Sequence, residues 1–187
     1  MRSDVTTILE KYIEGKDQDN FKILEDIYTE DAKVIFQIRT PAITFPSEIV
    51  GRINIAQVLS KDFNRKYDCI KTYYLGLKDK ERNALNVSEQ EWLVAMRETA
   101  SCCTRIGCGL YNWTFERTRE NKIKIKEHEI IIAEMLDLPD RPLPYLTSFQ
   151  SLLPYPWTNR ETVLKVASRY NEMQKITDFL MCRESRA

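Results

Sequence analysis

The chain has 187 residues, 43% hydrophobic and 30% charged, an ordinary globular composition with enough length to bury a sizeable core. Lys+Arg and Asp+Glu balance at 28 each, which argues against a surface built to grip phosphate backbones, so no nucleic-acid partner is expected. No apolar run approaches a membrane span, and the start MRSDVTTILEKYIEG has no apolar signal core; no membrane partner and a cytoplasmic location are expected.

Val5, Ile8, Leu9, Tyr12 and Ile13 fall at i, i+3, i+4, i+7 and i+8, which predicts a first helix capped by Ser3 and ended by Gly15. A second short helix carries Phe21, Leu24, Ile27 and Tyr28. EDAKVIFQI then has strand chemistry. TPAITFPSEIVG, with two prolines, reads as an irregular or edge segment. From Gly51 a third helix runs to about Phe63, with Ile55, Leu59 and Phe63 on one face.

Four strands are predicted next, over Cys69–Leu77, Trp92–Cys102, Ile106–Arg117 and Ile123–Met135, joined by the polar loops KDKERNALNVSEQ and RTREN. Hairpin-linked strands after a run of helices predict an α+β fold with an antiparallel meander. LDLPDRPLPYLTSFQSLLPYPW holds five of the seven prolines and is expected to run extended. Thr158 to Glu161 has a capping-box pattern that opens one final helix, with Val163, Val166, Ala167, Tyr170, Met173, Thr177 and Leu180 on one stripe. The organisation expected is a domain over residues 1–136 and an extension over 137–187 packed on it.

The five cysteines, Cys69, Cys102, Cys103, Cys108 and Cys182, are odd in number and lack metal-ligand spacing. Free thiols are expected, and no metal site. No glycine-rich phosphate loop or dinucleotide fingerprint is present, so no cofactor is expected.

KILEDIYTEDAKVIF, GRINIAQVLSKDF and NKIKIKEHEI, in that order and spacing, resemble the nuclear transport factor 2-like superfamily, especially its SnoaL-like and ketosteroid-isomerase-like branches. The resemblance covers about residues 4–136. It implies a cone-shaped curved antiparallel sheet, a cystatin-like half-barrel, with three helices on its concave face and an extra C-terminal helix. It further implies an apolar cavity for a small hydrophobic molecule and a homodimer formed through the outer sheet face. The activities it implies are cofactor-free isomerisation, dehydration or cyclisation of a hydrophobic carbonyl compound. The alternative is a non-catalytic ligand-binding or scaffold module.

In the isomerase branch a tyrosine on the first helix stabilises an enolate, and Tyr12 matches its position. The base position falls at Phe36, which cannot take a proton, and the second oxyanion donor falls at Tyr111 or Asn112. KEHEII resembles the SnoaL-like motif around a histidine, with Ile130 where that branch has an acid.

His128 is the only histidine. Strict alternation would bury Glu127 and Glu129 with Ile123 and Ile125, leaving His128 outside. A bulge near Glu127–His128 would instead place Ile123, Ile125, His128, Ile130 and Ile132 inside, burying one neutral imidazole rather than two carboxylates. The second register is the cheaper one and makes His128 the candidate acid or base. Candidate ligand-binding residues are Tyr12, Phe36, Phe63, Trp92, Glu98, Tyr111 and Asn112; Glu98 shares a strand face with Trp92, Val94 and Met96, with an arginine salt bridge as its structural alternative.

Overall fold

A computed structural model describes residues 4–76 and 84–184. Helix α1 spans Val5–Asp17 and is capped by Asp4, whose carboxylate accepts from the Thr7 amide; the predicted cap, Ser3, lies outside the described residues. It does not stop at Gly15. That glycine is where α2 (Phe21–Ile27) crosses: an added Cβ would lie 2.7 Å from the Leu24 side chain. The absent side chain serves close packing, and the helix continues two residues further, to Asp17.

Strand β1 (Tyr28–Ile38) follows, then the three-residue edge strand β2 (Glu48–Val50). The third helical segment runs as α3 (Arg52–Ala56), a π-helical turn (Gln57–Asp62) and α4 (Phe63–Lys66), and buries Ile55, Leu59 and Phe63 as its periodicity predicts. Strands β3 (Tyr67–Leu75), β4 (Asn86–Glu98), β5 (Thr104–Arg117) and β6 (Ile123–Leu138) form the expected antiparallel meander. Part of the predicted loop KDKERNALNVSEQ lies outside the described residues, and its end, Asn86–Gln90, is already strand.

The curved sheet is open, in the order β2-β1-β6-β5-β4-β3-β7, where β7 is Trp157–Thr158, and mixed at its margins, because β1 joins β6 in parallel. The concave face and helices α1 to α4 enclose one core, which includes Leu9, Tyr12, Leu24, Leu59, Trp113 and Ile125. Gly107 and Gly109 of β5 take the same alternation as inward-facing Tyr111. A Cβ on Gly109 would meet the Ile131 carbonyl oxygen and lie 2.8 Å from the Trp92 ring, so glycine leaves room for that indole.

The C-terminal region departs from expectation in three ways. The Pro-rich stretch is not extended throughout: Leu143–Ser151 is helix α5, since prolines at the N-cap and second helical position cost no hydrogen bond. The single predicted final helix is two, α6 (Arg160–Ala167) and α7 (Gln174–Glu184), with a 3₁₀ turn at Asn171–Met173 between them. Asn159, not Thr158, caps α6. These helices do not lie over the concave side. Leu146, Phe149, Val163, Met173, Ile176 and Leu180 pack on the convex face, against Tyr73, Leu93, Ala95 and Ile106.

Polar contacts fix this cover. Glu91, buried on the convex face, receives two hydrogen bonds from Arg160 (3.0 and 2.7 Å) and one from Arg183 (3.1 Å). Gln150 donates to the Cys69 and Ala95 carbonyls. Residues 155–158 then wrap the sheet margin, where β7 (Trp157–Thr158) pairs in parallel with β3 and the Trp157 indole packs on Tyr74. The convex surface of β3–β5, which the resemblance assigns to a second subunit, is occupied by the chain itself.

Candidate functional site

The bulged register of β6 sets the interior. Thr114 pairs with Glu127 and Phe115 with Ile125, so Lys126 is the extra residue. Ile123, Ile125, His128, Ile130 and Ile132 face the core. Burial without compensation would cost two carboxylates several kcal/mol more than one neutral imidazole, and the bulge avoids that.

His128 is fully buried. Its ring stacks on Trp113 with centroids 3.6 Å apart, and Tyr12 and Tyr111 meet it edge-on at 5.0 and 4.9 Å. Nδ1 shares a 2.9 Å hydrogen bond with the Tyr28 hydroxyl; Nε2 has no partner among the described residues. Burial, with a smaller contribution from the Lys16 ammonium, holds its pKa well below the ordinary histidine value, so the ring is neutral at pH 7. Burial foremost, and then Tyr111, pushes the Tyr12 hydroxyl well above the ordinary phenol range.

In front of this aromatic layer lies a cavity of about 40 Å³, room for two or three waters. Five predicted ligand-binding residues, Tyr12, Phe36, Phe63, Trp92 and Tyr111, line it. His128 does not; the Tyr12 and Tyr111 rings that touch it are part of the cavity wall. Asn112, next to Tyr111 on β5, has the opposite parity and bonds to Glu129 and the Glu89 amide on the other face. Glu98 lies beyond the cavity, paired with Arg105 at 3.0 Å and bonded to Ser101.

The cavity wall also includes residues that the sequence reading passed over. Lys16 is one turn beyond Tyr12 and nearly fully buried. Its ammonium donates to Asp17 Oδ1 (2.5 Å) and Thr72 Oγ1 (2.7 Å) and sits 4.9 Å from the centre of the Phe63 ring. Asp17 is further held by the Thr72 amide (2.6 Å), the Thr72 hydroxyl (2.9 Å) and the Tyr155 hydroxyl (3.2 Å). Phe45, from the irregular segment between β1 and β2, stacks on Phe36 at 4.5 Å and 6°.

The described wall carries no carboxylate and no imidazole, but several donors: the Lys16 ammonium, the Tyr12 hydroxyl, which is directed at the Tyr111 hydroxyl, and the Trp92 indole N–H, which has no partner among the described residues. Such a lining can receive an acceptor atom and has no base to remove a proton. No group of ligating side chains fit for a metal occurs among the described residues, the cysteines are free, and no helix among those residues is long and apolar enough to cross a membrane. Cys102 and Cys103 lie at the β4–β5 turn rather than within a strand, and Cys102 is exposed.

No family model matches the chain, and no curated protein matches it. Solved structures do match. The hexachlorocyclohexane dehydrochlorinase LinA-type3 from Novosphingobium barchaimii LL02 aligns with a TM-score of 0.57 at 13% identity, over 72% of this chain and 87% of that one. A putative scytalone dehydratase from Novosphingobium aromaticivorans gives 0.54 at 15%, over 71% and 84%. A ketosteroid isomerase-like protein from Erwinia carotovora atroseptica gives 0.51 at 8%, over 70% and 94%. The protein has the nuclear transport factor 2-like fold, as KILEDIYTEDAKVIF and the strands after it imply. At these identities the likeness is one of fold.

Proposed function

We propose that the protein binds a small hydrophobic molecule in the cone and that binding, rather than acid–base catalysis, is its primary activity. The carrying observation is the wall itself: apolar and aromatic, with donors but no base among the described residues. The free volume is far below that of a drug-sized ligand site, so a ligand enters by moving a wall side chain.

One observation favours an enzymatic second reading. His128 is neutral, its Nε2 has no partner among the described residues, and the Tyr12 and Tyr111 rings that touch it form part of the cavity wall. Separation of those rings would expose a base to a carbonyl compound, which suits the dehydrochlorinase and putative scytalone dehydratase among the structural neighbours. The free thiols fit a reducing compartment such as the cytoplasm. A homodimer would need a surface other than the covered convex face of β3–β5.

The test is Trp fluorescence, with Trp92 in the wall as reporter, on titration with small aromatic compounds. Val94→Phe fills the cavity and should abolish binding, whereas His128→Gln should leave it within a few-fold. Binding that survives Val94→Phe would place the ligand elsewhere.

A further inference from the structure

The interior leaves one strong donor unused. An ammonium has three N–H groups, and Lys16 spends two, on Asp17 and Thr72, with no further acceptor among the described residues. The same wall holds one more donor without a partner among the described residues, the buried Trp92 indole N–H. A ligand seated here therefore gains by offering an acceptor oxygen.

Its charge follows from the pairing. Asp17 balances Lys16 and is saturated by four donors, so it is fixed in place. An anionic ligand would add an uncompensated charge to an apolar interior, a cost a neutral acceptor avoids.

Its shape follows from Phe45. This half-buried ring comes from an irregular segment, stacks in parallel on Phe36, and reaches Phe63 at 6.2 Å. Beyond it lies a second cavity of about 150 Å³ that shares Ile43, Phe45 and Phe63 with the first. Phe45 and Ile43 are thus a partition between the two spaces. Withdrawal of Phe45 leaves a flat slot beside Phe36 that opens onto both.

We propose that the ligand is a flat, neutral ring compound with an acceptor oxygen, that it takes the place of Phe45 against Phe36, and that Lys16 anchors its oxygen. This deepens the binding function proposed above and rests on it. Tyr155, from the C-terminal extension, acts as a positioning residue through Asp17.

The experiment compares three probes of one shape on the full-length chain by Trp fluorescence: acetylnaphthalene (neutral, with oxygen), ethylnaphthalene (no oxygen) and naphthoate (anionic). Acetylnaphthalene should bind about tenfold tighter than ethylnaphthalene, the gain of a hydrogen bond to a charged donor. The charge-balanced variant Lys16→Met/Asp17→Asn should erase that gap. Phe45→Ala, at a part-exposed site that tolerates truncation, should tighten both neutral probes and keep the gap. The inference is overturned by equal binding of the neutral probes, by naphthoate binding tightest, or by Phe45→Ala leaving affinity unchanged. Those three results need no interior charge variant to fold. Equal binding of the neutral probes overturns this inference and leaves the binding function standing; failure of every probe on both wild type and Phe45→Ala defeats the binding function too.

Discussion

A buried neutral histidine makes stability depend on pH in a way that a chain with one histidine isolates. His128 has a folded pKa well below its unfolded value of about 6.5. Above that value neither state holds the proton, and the contribution is intact. As pH falls below it, the unfolded chain binds a proton that the native ring refuses, so stability is lost. The slope approaches about 1.4 kcal/mol per pH unit until the folded pKa is reached. Carboxylates add their own pH dependence, but it is common to wild type and His128→Gln and cancels in their difference. Urea unfolding of both proteins between pH 7.5 and 5 is the assay. Wild type should lose about 1 kcal/mol or more relative to the variant over that interval. Parallel curves would mean that His128 is solvated, and the bulged register with its aromatic layer would be wrong.

Four further outcomes are expected. Lys16→Met leaves Asp17 buried with three of its four donors and should cost about 3 kcal/mol, the low end for a broken buried pair, with part regained in Lys16→Met/Asp17→Asn; chemical denaturation reads both. Phe149→Ala, wholly buried under the convex face, should cost about 3–5 kcal/mol, and a cost under about 1 kcal/mol would contradict the packing of the extension. Gly109→Ala should fail to give a stable fold in a thermal melt, since its Cβ meets backbone that cannot yield. In a native thiol titration Cys69, Cys102 and Cys182 should react quickly, while Cys108 should wait for denaturant, being buried and pushed above the ordinary thiol range by that burial.

The sequence carried most of the frame because the hydrophobic periods agree with the fold. The β6 bulge was legible for an energetic reason: only one of two registers kept Glu127 and Glu129 out of the core. Lys16 was not, because Gly15 looks like a helix terminator and in fact makes room for Leu24. The two further helical residues place Lys16 on the stripe of Tyr12, four residues earlier, and that spacing is the signal that would have found it.

Tyr111 and Asn112 show the opposite limit. Two adjacent strand residues cannot both face one cavity, yet which one does depends on bulges in the neighbouring strands. The prolines misled for a comparable reason, since at the start of α5 they suit a helix. Nothing local in the last fifty residues tells which sheet face they cover. That is settled by the apolar convex face of Tyr73, Leu93, Ala95 and Ile106, which needed burial.

The measurement that tests the central claim most directly is methyl NMR of the full chain on addition of acetylnaphthalene. Binding in the cone predicts shifts at Leu59, Ile130, Ile132 and Met135, which line the cavity, with Leu93, Val163 and Leu180 under the convex cover unmoved. Shifts confined to the convex set, or none at saturating probe, would contradict a ligand in the cone.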